Sequence, residues 1–144
     1  MPAKSAPKPK TGLSAAEKQA MKDTMAERKR QAAGEDGEKS LQAAIKGLAA
    51  SDRVLAQKLD TIVKASAPRL QGRTFYGMPA YANDKGVVLF LKPAVKFKER
   101  YPTLGFNQHA MLDDGVMWPT SWALLEIGPA QEKAIAALVK KAVA

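Results

Sequence analysis

The chain has 144 residues, which suits one domain of ordinary size, and 46% of them are hydrophobic, which is enough for a core. It has no cysteine, so disulfides and cysteine-bound zinc or iron–sulfur sites are excluded. Its formal net charge is +9, which permits anionic partners but identifies no binding face. No apolar run approaches the ~20 residues that span a bilayer, and the basic N-terminus has no apolar signal region. We therefore predict a cytoplasmic protein with no membrane partner.

The first 36 residues are predicted to precede the main domain. Residues 1–12 are rich in Pro, Ala and Lys and have little to bury, so we expect a disordered basic tail. In residues 13–36, Ser14 and Glu17 have the spacing of a capping box for a helix that runs to Ala33. The apolar face of this helix is poor, so it docks on the domain, binds a partner or frays. The basic residues of this region are either solvated charges or a nucleic-acid-binding segment: Lys4, Lys8, Lys10, Arg28, Lys29 and Arg30.

Residues 37–144 are predicted to form an α+β domain that begins with two helices. Ser51-Asp52 is predicted to cap the second of them, and Pro68 ends it because proline disfavours helix in the residue before it. Apolar residues recur at helical spacing in both and are expected to cover the sheet. They are Leu41, Ile45, Leu48, Ala49, Leu55, Leu59, Ile62 and Val63.

A β-hairpin between Leu70 and Pro93 is predicted to organise this domain. One strand lies in residues 73–78, the other is the apolar run 87–91, and residues 83–86 form the turn because Asn, Asp and Gly tolerate positive φ. Gly77 has no side chain to pack, which indicates a bulge or a close approach by another group. Pro79 marks a strand end or an edge, since it cannot donate a ladder hydrogen bond.

The last third of the chain is predicted to complete the sheet and close with a helix. Residues 95–106 hold a strand weakened at Pro102, residues 107–112 form a helical turn, and residues 117–127 form another strand. Gly128-Pro129 begins the last helix, because proline suits the first helical position. This order predicts an α+β fold in which a small, mostly antiparallel sheet is covered by helices on one face and preceded by a basic N-terminal helix.

The segment Tyr76-Gly77-Met78-Pro79-Ala80-Tyr81, which follows that second helix and precedes the apolar run, resembles the YdhG-like family of small bacterial proteins. The later Thr103–Phe106 and Leu112–Gly115 segments and the closing helix also fit, so the resemblance covers roughly residues 41–144. It implies a sandwich of helices against one antiparallel sheet. Some members are described as frataxin-like iron chaperones, so the resemblance also implies iron, which favours carboxylate and imidazole ligands.

One constellation could hold a metal. His109 is the only histidine of the chain, and Asp113 lies four residues later. Such a pair can hold a metal, or it can be a solvent-exposed ion pair beside a turn. Asp113-Asp114-Gly115 by itself is a turn signal. The candidate metal ligands are therefore His109, Asp113 and Asp114.

No catalytic constellation is visible, so we predict that the protein is not an enzyme. The chain has no Gly-x-Ser-x-Gly motif, no glycine-rich phosphate loop and no carboxylate pair suited to acid–base work. What remains are aromatic and basic residues, which are either core or a shallow groove where rings stack on a planar ligand and cations hold an anion. The candidate ligand-binding residues are Tyr76, Met78, Tyr81, Lys92, Arg100, Trp118 and Trp122.

Together these features predict a non-enzymatic binding or chaperone-like domain of unknown ligand, either a monomer or a weak homodimer. Its partner is an unidentified small molecule or protein. Iron chaperoning, implied by the resemblance alone, and nucleic-acid association through residues 1–36 are the alternatives. The residues themselves predict no cofactor.

Overall fold

The computed structural model describes residues 14–32 and 36–144, and for residues 27–32 it describes the backbone alone. Within these residues the fold is α+β, as predicted: five helices and a five-stranded antiparallel sheet packed against helices. The helices are α1 (Ala15–Ala32), α2 (Gly37–Lys46), α3 (Ala50–Ser66), α4 (Ala94–Phe97) and α5 (Pro129–Ala142). The strands are β1 (Gln71–Phe75), β2 (Met78–Asn83), β3 (Gly86–Lys92), β4 (Thr103–Phe106) and β5 (Ser121–Ala123), in that spatial order. No described helix is long and apolar enough to cross a membrane.

Two helix starts follow the local signals. At α1 the Ser14 amide donates to Glu17 Oε1 at 2.9 Å and the Glu17 amide donates to Ser14 Oγ at 3.1 Å, which confirms the capping box. At α5 proline occupies the first helical position, and the Gly128 amide donates to Gln131 Oε1 at 3.0 Å.

The predicted cap of α3 is wrong. Helix α3 begins at Ala50, its N-cap is Ala49, and no side chain caps it. This start places Asp52 inside the first turn and facing inward, where it is 2% exposed. Its carboxylate instead accepts the amides of Ala94 at 3.3 Å and Val95 at 2.9 Å, so it caps α4 from another part of the chain.

The predicted two-stranded hairpin consists of three strands. Phe75 pairs directly with Met78, and the two residues between them form a tight turn. Tyr76 has φ 52° and Gly77 φ 79°, as a type I′ hairpin turn requires. The predicted strand across residues 73–78 is therefore wrong, because it ran through this turn. Pro79 is the second residue of β2, before the pairing of β2 with β3 starts at Ala80.

The segments after β3 are shorter than predicted. Residues 94–97 form α4, so the strand predicted from residue 95 begins only at Thr103. Residues 107–110 form a single turn, closed by the Ala110 amide on the Asn107 carbonyl at 3.0 Å, so the helical turn predicted over residues 107–112 is shorter than expected. The strand predicted over residues 117–127 is confined to Ser121–Ala123, where it pairs with β4.

The sheet has two apolar faces. The first packs against α2, α3 and α5 in the main core, to which the sheet contributes Tyr81, Val88, Leu89, Leu91, Leu104 and Phe106. The second carries a smaller cluster of sheet residues, which we call the second face: Ala80, Ala82 and Val87 with the half-buried rings of Phe75 and Phe90. A register shift between Tyr81 and Ala82 lets both Val88 and Leu89 join the main core.

Helix α1 docks on the domain through a polar contact. Ala20 is its one buried residue among those whose side chains are described, and Met25 is largely exposed. Lys96 of α4 pairs with Asp23 at 3.1 Å and donates to the Gly77 carbonyl at 3.0 Å. A Cβ on Gly77 would lie 2.3 Å from Asp23 Oδ2, which confirms the close approach predicted at this glycine.

Candidate ligand cleft

A cleft of about 820 Å³ lies between the second face of the sheet and the chain segment that follows β4. The sheet contributes Arg73, Phe75 and Val87 to its lining. The segment after β4 contributes His109, Asp113 and Trp118, among others. The cleft thus combines aromatic surface with one guanidinium, one imidazole and one carboxylate.

The segment that forms one wall of the cleft is anchored at both ends. The Asn107 amide donates to the Val88 carbonyl at 2.9 Å, and the Phe106 amide donates to the Thr120 carbonyl at 2.8 Å. Between them, the Met111 amide donates to the Ala142 carbonyl at the end of α5, at 2.9 Å. These bonds hold the wall against the sheet and α5, so its side chains are positioned by the folded core rather than by the loop alone.

Trp118 is the aromatic residue of this wall. It is half-buried and packs against the main core while it also lines the cleft. A ring held on one side by the core offers a contact surface at little further cost in side-chain entropy. Trp118 was among the predicted ligand-binding residues, and the structure places it at this cleft.

Arg73 is the arginine of the cleft lining, and it was not among the predicted site residues. Its side chain is half-buried, and its Nε donates weakly to the Thr74 carbonyl at 3.4 Å. Among the described residues no carboxylate lies within 4.0 Å of its guanidinium. The available signal was strand alternation, because Arg73 and Phe75 stand two residues apart and therefore share a face.

His109 and Asp113 both line the cleft, but they do not form an ion pair in the described structure. The imidazole lies against the turn between β2 and β3, since a Cβ on Gly86 would come within 3.0 Å of its Nε2. Asp113 and Asp114 are exposed. No cluster of three His, Cys, Asp or Glu suited to a metal occurs among the side chains that the structure describes, those of residues 14–26 and 36–144. Metal binding by His109, Asp113 and Asp114 therefore stays a prediction.

Two of the predicted ligand residues belong to the main core instead. Tyr81 is 1% exposed, and its hydroxyl donates to Asp60 Oδ1 of α3 at 2.7 Å. Burial, and after it the hydrogen bond to Asp60, raises the pKa of Tyr81 well above its ordinary value. Trp122 pairs with Leu104 in register, packs on the core and meets Phe106 edge to face at 5.7 Å between ring centroids.

The remaining four predicted residues are not part of the cleft lining. Tyr76 is 45% exposed in the β1–β2 turn, where its ring meets that of Phe75 edge to face, and Met78 is buried. Lys92 pairs with Glu99 at 3.6 Å, and Arg100 lies over the Tyr101 ring at 4.9 Å. The structure therefore brings Trp118 together with His109 and Asp113, and it disperses the other aromatic and basic candidates.

The nucleic-acid prediction falls largely outside the described residues. Lys4, Lys8 and Lys10 precede residue 14, and the side chains of Arg28, Lys29 and Arg30 are not described. Binding through this segment stays a prediction. The resemblance to the YdhG-like family likewise rests on the sequence motif around residues 76–81. Comparison with known proteins finds no family model, no curated protein and no solved structure that matches this chain.

Proposed function

We propose that this chain is a non-enzymatic binding domain that holds a small planar molecule in the cleft between the second face and the wall after β4. The observation that carries the proposal is the position of Trp118, which is anchored on the core and borders a cleft of about 820 Å³. Small-molecule sites are typically concave and apolar, with a few convergent polar groups. Phe75 and Val87 supply further apolar surface, and Arg73 and His109 supply the polar groups.

The choice of binding over catalysis rests on how the polar side chains of the cleft are arranged. Its titratable side chains are Arg73, His109 and Asp113, and none of them hydrogen-bonds to another in the described structure. Acid–base and covalent catalysis typically use a nucleophile or base that is oriented by a hydrogen-bonded neighbour. The groups present are suited to orienting a ligand.

Tryptophan fluorescence tests this proposal, because the chain has two tryptophans and one of them lies away from the cleft. A Trp122→Phe variant leaves Trp118 as the single reporter. We expect planar aromatic compounds from a small panel to change its fluorescence saturably and to raise the midpoint of thermal unfolding. Trp118→Phe should weaken binding measured by calorimetry, whereas Tyr76→Phe, an exposed ring outside the cleft, should not.

Two results would count against the proposal. One is a panel in which no compound changes either the Trp118 fluorescence or the unfolding midpoint. The other is saturable binding whose affinity is equal in the wild type and in Trp118→Phe, because the ligand would then bind elsewhere on the domain.

A further inference from the structure

Resting on the proposed function, we infer that the ligand of the cleft is a planar aromatic acid with a single negative charge, and that Arg73 binds its carboxylate. The proposal commits to a chemical class that the cleft alone does not define. It also assigns a role to a residue that no sequence motif singled out.

The Arg73 guanidinium is a half-buried charge without a paired carboxylate in the described structure. The half-buried lysines of the described structure, Lys92 and Lys96, each have a carboxylate within 4.0 Å. The half-buried arginines Arg53 and Arg73 have none in the described residues, and Arg53 donates instead to the Leu48 carbonyl at 3.2 Å. A charge that is partly removed from water is unfavourable unless it is paired. An anion bound in the cleft beside Arg73 would therefore offset this desolvation cost.

The guanidinium group of Arg73 has the geometry to bind a carboxylate. Arginine presents five N–H donors in a planar fork that matches the two oxygens of a carboxylate. The described contacts occupy one of these donors, Nε, through the weak bond to the Thr74 carbonyl. Donors therefore remain for a bidentate contact with a ligand in the cleft.

The aromatic side chains of the cleft lie at a suitable distance from Arg73 to bind the ring of the ligand. Arg73 and Phe75 lie on the same face of β1, and two residues of a strand span roughly 7 Å. This separation suits a molecule that carries its acid group a short distance from its ring. The Phe75 ring, which lies 5.5 Å from the Phe90 ring between centroids, and Trp118 supply the surfaces on which the ligand's ring can stack.

The lining of the cleft limits the charge of the ligand. Asp113 lines the same cleft as Arg73, so its one carboxylate offsets the charge of the one guanidinium. A ligand with several negative charges would be repelled by Asp113, whereas a single carboxylate can be placed against Arg73. Nucleotide di- and triphosphates and nucleic acids therefore fit this cleft poorly.

Matched acids and amides test the inference directly. Benzoate, cinnamate and indole acetate are each compared with the corresponding neutral amide by calorimetry, on full-length wild type and on Arg73→Gln. Because a charge-assisted pair to arginine is lost in the amide, we expect at least one acid to bind about tenfold or more tightly than its amide. Arg73→Gln should reduce the affinity of that acid to the level of its amide and leave the amide unchanged. Arg69→Gln, at an exposed arginine outside the cleft, is the matched control.

The possible outcomes separate this inference from the proposed function. If acids and amides bind equally, and Trp118→Phe weakens both, the cleft is a binding site but the acid inference is wrong. If an acid binds preferentially but Arg73→Gln does not change its affinity, the assignment of Arg73 is wrong. If none of the six compounds binds, the aromatic-acid inference is overturned, and the wider panel then decides the proposed function.

Discussion

The carboxylate of Asp52 in α3 accepts the backbone amide of Val95 in α4 at 2.9 Å, and a second bond, to the Ala94 amide, joins the same pair of segments. Asp52 was predicted to cap its own helix, α3. It instead caps α4, which begins more than forty positions later in the chain. This link orients the segment that follows β3, including Lys96, which in turn holds Asp23 of α1.

Removing this link should destabilise the fold. We expect Asp52→Ala to lower the free energy of unfolding by about 2–3 kcal/mol, because two backbone amides lose a charged acceptor and a buried side chain is truncated. Ser51→Ala is the control, since Ser51 is exposed and should cost less than about 0.5 kcal/mol. Urea denaturation measures both variants. Equal costs for the two would mean that the cap on α4 contributes nothing.

Alanine substitutions at two glycines with similar φ angles distinguish the cost of backbone strain from the cost of a steric contact. Gly77 has φ 79° and Gly115 has φ 70°, so alanine is strained at both, by roughly 1–2 kcal/mol. A Cβ at Gly115 meets nothing within 4 Å, whereas at Gly77 it would collide with Asp23. We therefore expect Gly77→Ala to cost more than Gly115→Ala. It should also speed hydrogen exchange in α1. Unchanged exchange in α1 would contradict the docking contact.

The buried hydroxyl of Tyr81 makes stability depend on alkaline pH. Its pKa is raised in the folded state, so the native protein retains a proton that the unfolded chain releases near pH 10. The associated stability is complete below about pH 10 and is lost progressively at higher pH. We expect Tyr81→Phe to cost about 1 kcal/mol near neutral pH, through the lost bond to Asp60, and to show a weaker decline above pH 10. If the unfolding free energies of wild type and Tyr81→Phe fall in parallel above pH 10, Tyr81 is not the group responsible for the decline. Urea titrations at a series of pH values give the comparison.

The second face contains a pair of residues that should couple strongly. A Cβ on Gly105 would lie 2.4 Å from Cζ of Phe90, which is directly opposite it in the β3–β4 pair. We expect Gly105→Ala to cost about 1–3 kcal/mol, because the ring must move away from Phe75. In a Phe90→Ala background the same substitution should cost almost nothing. A double-mutant cycle measures this coupling. Additive costs would show that the cost of Gly105→Ala does not come from contact with the Phe90 ring.

Several features of the helices were predictable from residues that lie close together in the sequence. The apolar stripes of α2, α3 and α5 follow the helical period, and Leu41, Leu59 and Val139 on these stripes are fully buried. Capping at Ser14 and the proline start of α5 involve residues within three positions of each other, so the sequence contains all the partners. The β1–β2 turn was missed because one of its two positive-φ residues is Tyr76, a residue type that rarely takes that conformation.

The candidate site depends on information that is not local. Trp118 and Trp122 stand four residues apart, and nothing in their neighbourhood distinguishes a residue of the cleft from a residue of the core. The pairing of β4 with β5 decides it, because register places Trp122 beside Leu104 on the covered face. Arg73 lines the cleft because β1 pairs with β2 and the segment after β4 lies over the second face.

The amino-acid sequence by itself determined the α+β class, the helical stripes and the presence of a β-rich centre, because hydrophobic period and capping act over a few residues. Tertiary structure alone decided that Asp52 caps α4, that Asp23 approaches Gly77, and that Arg73, His109 and Trp118 share one cleft. These contacts join residues that are distant along the chain, so they arise only when the sheet register and the packing of the helices are both established.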